Sequence, residues 1–415
     1  MLTKVQLPLA RRMLLLAVNQ TILFALSMVV IAGLIGGGGL GAVVNSGLSS
    51  TPAVAILAGV VIVVMAIALD RSTEAIAERT DPARRHLDEA GVRRARLQSA
   101  AVAGAVGVTV VAAKLLDVGG VYPETAGARE RAVTAQEWIL ARIQSVLDYV
   151  QDPTSFVFSF TEPTGIFVLQ KLLLPLQQFL VEGPWFVTLG GLTAIAYLVS
   201  GLRPALTTLV MLGAIGITGV WPLAMDTLSQ VLVATLIAVV IGIGLGIAAS
   251  ESKAVSKALR PVNDVLQTLP QLVYIIPFIY LMPVSIVPGI VAGVLYAFPV
   301  VVRLVERGIN DVAPQSVEAA GAFGATRRQV LTKVKIPLAG DAIMLGINQG
   351  IIMVLAVVVI GGLVGSGGLG YEVAQGLVRG YFGQGVIASY AILALGITLD
   401  SITQGTRKAR KEGST

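Results

Sequence analysis

The chain has 415 residues, of which 55% are apolar and 13% charged, with a net charge of +6 and no cysteine. Its apolar residues come in blocks of about 18 to 22, long enough to cross a hydrocarbon slab of about 30 Å as helices, and these continuous blocks exclude the alternation of a β-barrel. Disulfides and thiolate metal sites are excluded, and the one histidine, His86, has no partner at ligand spacing, so no metal site is expected.

Lys4, Arg11 and Arg12 precede the apolar run Met13 to Ile35. That run is longer than the core of a signal peptide and lacks a small-residue exit, which predicts a retained transmembrane helix. Nine further spans are predicted, at about 53–69, 98–116, 185–202, 204–221, 228–249, 265–282, 286–302, 342–363 and 386–403, with the break between the fourth and fifth placed at Arg203-Pro204. The expected fold is therefore all-α and polytopic, with about ten transmembrane helices.

Lysine and arginine set the orientation, because short loops rich in them stay in the cytoplasm. Arg71 to Arg96 holds seven arginines, Ser252 to Arg260 three basic residues, Arg303 to Lys335 six, and the tail ends with Arg407, Lys408, Arg410 and Lys411. Ten spans place all four on one side, with the C-terminus cytoplasmic. The basic residues flank apolar blocks, which points to anionic lipid and not to nucleic acid. Asp117 to Gly183, where eight acids outnumber four basic residues, falls on the outer side. Within it Gln136 to Val150 has an apolar face, and Gly165 to Val181 carries Lys171 and Pro175; both are expected to lie in the outer interface, since a crossing at 165–181 would invert every later loop.

The chain repeats itself. From Lys4 to Leu48 and from Lys333 to Leu377 about half the positions are identical without a gap, and each copy runs on to a span ending in Leu-Asp, at 69–70 and 399–400. Residues 1–80 are expected to be the two-helix end of a first module, 81–97 a basic cytoplasmic linker, and 98–410 a complete second module.

What precedes the second copy is "EAAGAFGATRRQVLTKVKIP", from Glu318 to Pro337. With Glu318, Ala319, Ala320, Gly324, Ile336 and Pro337 in their places, the chain resembles the permease subunits of ATP-binding cassette (ABC) importers, whose cytoplasmic coupling loop carries such an E-A-A, a following glycine and a proline-containing end. Here Leu338 follows the proline instead of preceding it. The phrases "LQTLPQLVYIIPFIYL" and "NQTILFALSMVVIAGLIGGGGLG" are most similar to glycine betaine, proline and choline permeases.

The resemblance implies the type I ABC importer transmembrane fold with a partial preceding copy, in the inner membrane of a bacterium. It also implies a coupling loop within 303–341, a pair of cytoplasmic ATP-binding subunits, an extracytoplasmic binding protein, and a second permease copy or a related subunit. The substrate implied is a small quaternary amine or amino acid. The residues agree on their own terms. Pro314 suits a first helical turn, Gly324 a stop, and Thr326 with Gln329 a capping box, while Ala319, Ala320 and Ala322 surround Phe323 as a docking anchor would require. An ordinary helical hairpin has the same composition.

No G-x-x-x-x-G-K-[ST] occurs, so any ATP must bind a partner, and no cofactor is expected on this chain. "GGGGLG" and "GSGGLG" follow membrane helices instead of strands and are read as turns, and no nucleophile-base pair points to catalysis. For the solute path, Pro270, Pro277, Pro283 and Pro288 interrupt one region, with Gln267, Thr268 and Tyr274 beside it; the prolines either open a path or only kink packed helices. Asn348 and Gln349 either bond between helices or meet solute. Two rival readings stay open at this point, an ion-coupled secondary carrier and a non-transporting subunit.

Overall fold

The computed structural model describes residues 7–79, 126–282, 286–363 and 365–412. The predicted span 98–116, the linker 81–97, His86 and Pro283 lie outside the described residues. The chain divides into two compact units, 1–26 with 64–146 and 27–63 with 147–415.

All regular structure among the described residues is helical. The helices are α1 (Leu7–Ala32), α2 (Gly39–Ser49), α3 (Pro52–Arg79), α4 (Ala126–Gln151), α5 (Phe156–Val181), α6 (Trp185–Ser200), α7 (Leu202–Ile217), α8 (Trp221–Glu251), α9 (Lys253–Thr268), α10 (Gln271–Leu281), α11 (Val287–Asn310), α12 (Pro314–Ala322), α13 (Gly340–Leu363), α14 (Gly368–Val378) and α15 (Phe382–Glu412). Among the described residues six helices are long and apolar enough to cross a membrane, including α8, α11, α13 and α15.

α8, α11 and α13 form the centre of the larger unit, around Met225, Leu228, Ala234, Ile290 and Val354. α8 and α11 approach closely because Gly242 and Gly246, one turn apart, face Val301 and Val305; a Cβ on either glycine would come within 2.7 Å of those valines.

Two predicted boundaries are corrected. The fourth and fifth spans part at Gly201, not at Arg203-Pro204. Gly201 takes φ +86° and makes the turn, while Arg203 and Pro204 fall in the first turn of α7, where proline lacks nothing a helix needs. The predicted span 265–282 is no single helix either. α9 ends at Thr268, Leu269 is pushed to extended backbone by the proline after it, and α10 starts beyond Pro270 and has only 11 residues.

α5 has the length and composition of a crossing helix, although 165–181 was expected in the interface. Three contacts tie it to the neighbouring helices. Gln151, just before it, donates to the Tyr280 carbonyl at 3.4 Å, a Cβ on Gly165 would lie 4.0 Å from Met282 and Val287, and Gln177 donates to Asp226 at 2.9 Å. Met282, Val287 and Asp226 stand at the same ends of α10, α11 and α8. Ser155 caps α5, accepting from the Phe158 N–H at 3.0 Å.

Candidate functional site

Two polar elbows of the larger unit are joined by α8. The first follows α11. Pro314 opens α12, Phe323 follows its last residue as the C-cap, and Gly324 with φ +78° reverses the chain. Thr326 and Gln329 then form the capping box: the Thr326 N–H donates to Gln329 Oε1 at 2.8 Å and the Gln329 N–H to Thr326 Oγ1 at 3.4 Å. A short helix, the π turn Leu331–Lys335 and the turn at Ile336–Leu338 lead into α13. Glu318, Ala319 and Gly324 are exposed, Ala320 and Ile336 half-buried, and Pro337 exposed. Phe323 is 93% exposed at the tip of the bend. An aromatic ring displayed this fully on a capped turn has no role in the core of its own chain.

The elbow is tied to the end of α8. Lys335 Nζ donates to Glu251 Oε1 at 2.8 Å, Arg327 Nε to Glu251 Oε2 at 2.9 Å, and a further Arg327 nitrogen to the Glu251 carbonyl at 2.8 Å. Both cations and the Glu251 carboxylate line a cleft of about 350 Å³, also lined by Val317 and Gly321. Sequence reasoning did not single out Glu251; a lone acid closing an apolar helix ahead of a basic loop was the available signal.

About 38 Å away along α8, at 1.5 Å per residue, a second polar group holds the other elbow. Asp226 Oδ1 accepts from Gln177 and, at 3.3 Å, from Gln230; Gln230 also donates to the Ser366 carbonyl at 3.2 Å. The Leu369 N–H donates to Thr227 Oγ1 at 2.9 Å. These bonds clamp "GSGGLG", whose Gly365, Gly367 and Gly368 take φ of +105°, +76° and +66°. The elbow is tight because Gly362 meets Gly370: a Cβ on Gly370 would lie 2.1 Å from the Val359 carbonyl oxygen. Asp226, Thr227 and Gln230 were also not foreseen, since their partners lie far off in sequence.

The predicted path residues separate. Pro270 is buried at the break, Gln267 half-buried, and Pro277 exposed within α10; of the Thr268 side chain nothing is described. Tyr274 is 3% exposed and packs edge-on against Tyr296 with ring centroids 5.7 Å apart, while Gln271 donates to the Tyr296 hydroxyl at 3.0 Å. The Tyr274 hydroxyl finds no hydrogen-bond partner among the described residues. Asn348 is committed to helix packing: it donates to Asp400 Oδ1 at 3.1 Å and accepts from Thr403, which joins α13 to α15. Gln349 beside it is half-buried. Ser256 and Asp264 of α9 bond Glu306 and Arg303 of α11, so α9 sits at the same level as the coupling elbow and α10 carries the chain back. Among the described residues no cluster of histidine and acid side chains could hold a metal.

Residues 238–405 match the family model described as binding-protein-dependent transport system inner membrane component. The permease protein ProW of the glycine betaine/proline betaine transport system of Escherichia coli is 36% identical over 279 residues, covering 67% of this chain and 75% of that protein. The chain belongs to this family of ABC importer permeases. It is also 29% identical, over 97% of its length and 59% of the relative's, to the trimethylamine N-oxide transport system permease protein TmoV of Ruegeria pomeroyi. Among solved structures, the inward-facing MetNI methionine ABC transporter matches with a TM-score of 0.40 at 24% identity, over 48% of this chain and 95% of that one. As a permease of this family the chain is a multi-pass inner-membrane transport subunit and not an enzyme. The family match spans the second half of α8, the broken pair α9–α10 and both elbows.

Proposed function

We propose that this permease imports a small quaternary-amine osmoprotectant of the glycine betaine type, driven by ATP hydrolysed on a separate pair of cytoplasmic subunits. The substrate class rests on relatives whose names specify glycine betaine, proline betaine and carnitine. An extracytoplasmic binding protein delivers the solute, and the C-terminus lies in the cytoplasm with the four basic segments. Residues 1–80 act as the end of one module and 98–410 as another.

The observation that carries the coupling reading is Phe323, 93% exposed on a glycine-reversed, capped bend whose neighbours are alanines. Small residues let a partner surface come close and the ring fills a pocket in it. Movement of the ATPase pair shifts Gly324 and its neighbours, and the Glu251 ties pass the displacement to α8. α8 in turn holds the glycine elbow at its far end, so opening at one face is linked to closing at the other. Solute biases that equilibrium only through its different affinity for the two states.

The test is uptake of labelled glycine betaine into vesicles holding the permease with its cognate ATPase and binding protein. Uptake should require ATP, and Phe323→Ala should lower it at least tenfold while insertion and the α-helical spectrum stay unchanged. Uptake driven by a sodium or proton gradient without ATP would instead establish the secondary-carrier reading, and full activity in Phe323→Ala would remove the anchor.

A further inference from the structure

Two equal modules meet across a two-fold axis through equivalent surfaces, so that equivalent residues come together beside the axis. Residues 27–63 carry a copy of one such surface and pack against the second module. Gly36, Gly38 and Gly39 take φ of +99°, +77° and +65°, the dihedrals of Gly365, Gly367 and Gly368, and Gly33 approaches Gly41 as Gly362 approaches Gly370. The repeat is thus one elbow built twice. α14 packs on the π turn Gly33–Gly37, elbow on elbow. Ile31 packs on the buried cluster that contains Ile360, its equivalent in the repeat.

The first copy does not reproduce the packing of the second. Val358 is 3% exposed among the residues of α8 and α11, whereas its equivalent Val29 is 67% exposed. The first copy instead buries Val30, Val44, Ala55, Ala58 and Ile62 against Val273 to Ile276 of α10. A Cβ on Gly59 would lie 3.2 Å from Ile276 Cδ1, which leaves no room for another chain between them.

We propose that residues 27–63 stand where a second permease subunit would stand against α10 and α13, so that this chain supplies both sides of that seam. The inference rests on the permease reading above and names its partner at this face: an internal copy, not a second chain. Tyr274 and the Pro270 break then lie at the junction of two modules, where a path between modules runs.

The protein has no cysteine, so introduced ones react alone. In membranes holding the assembled, uptake-competent transporter, Gly59→Cys with Ile276→Cys should form a disulfide within one chain on oxidation. The product runs at monomer mass, its two tryptic peptides are joined, and ATP-driven uptake falls at least fivefold and returns on reduction. Gly59→Cys and Ile276→Cys on separate, co-expressed chains should give no dimer. Should the first pair fail to assemble, Ile31→Cys with Ile360→Cys serves the same purpose, and Ile360→Cys alone should remain monomeric. A dimer through Ile360→Cys alone or through the split pair, or no intrachain link in active transporter, would overturn the inference while leaving ATP-dependent uptake, and hence the permease reading, intact.

Discussion

Thr227 illustrates how much one side chain can decide. Its hydroxyl is the acceptor for the buried Leu369 N–H at the start of α14. Thr227→Val keeps the shape but leaves that N–H without a partner, a cost of about 1–3 kcal/mol. Thr227→Ser should recover most of the loss, measured as the unfolding midpoint in detergent. Glu251 is the corresponding residue at the other end of α8. Its carboxylate is 19% exposed and Lys335 23%, so the pair is partly shielded, while Arg327 at 78% exposure adds little. Glu251→Gln should weaken the tie by about 1–2 kcal/mol, and uptake should fall severalfold with ATPase binding retained, a split read by comparing uptake with co-purification of the ATPase. None of these partners could be read from the chain, because Leu369 and Lys335 stand far from the residues they bond. By contrast Thr326, Gln329 and Gly324 were legible, since a capping box and a left-handed stop involve only neighbours.

At the scale of elements the two glycine elbows offer a controlled comparison. Gly39 and Gly368 share a positive φ, which costs an alanine about 1–2 kcal/mol. A Cβ on Gly39 would meet nothing within 4 Å, whereas one on Gly368 would lie 2.5 Å from Thr227 Oγ1. Gly39→Ala should therefore lower the melting temperature by only the dihedral cost, and Gly368→Ala should lower it by distinctly more and disturb the α8 clamp; equal losses would count against the clamp. The broken pair α9–α10 shows the limit of hydropathy. Its apolar run reads as one span because the window averages across Leu269-Pro270, while the proline ring forces extended backbone at that one point.

For the whole molecule, the contacts fix which ends lie together. Lys257 follows α8, Lys333 belongs to the elbow that Glu251 ties to α8, and Asp152 and Glu182 flank α5 at the opposite end. Single cysteines at Lys257 and Lys333 should be labelled by an impermeant maleimide from one face of the membrane, and those at Asp152 and Glu182 both from the other. Labelling of Asp152 and Glu182 from opposite faces would make α5 a crossing helix and reverse the predicted orientation on one side of it.

The amino-acid sequence alone determined that this is a helical membrane protein, that it contains one elbow twice, and that a family-like coupling loop precedes the second copy. Each of these is written in continuous stretches, as apolar blocks, as matched glycines and as local caps, because helix formation and turn geometry depend on near neighbours. It took the folded contacts to commit Asn348 to Asp400 and Thr403, to give α8 an elbow at each end, and to pack the first copy on α10. The reason is physical: in an apolar medium hydropathy does not distinguish a face turned to lipid from one turned to another helix. Polar bonds and close glycine contacts between distant segments make that choice.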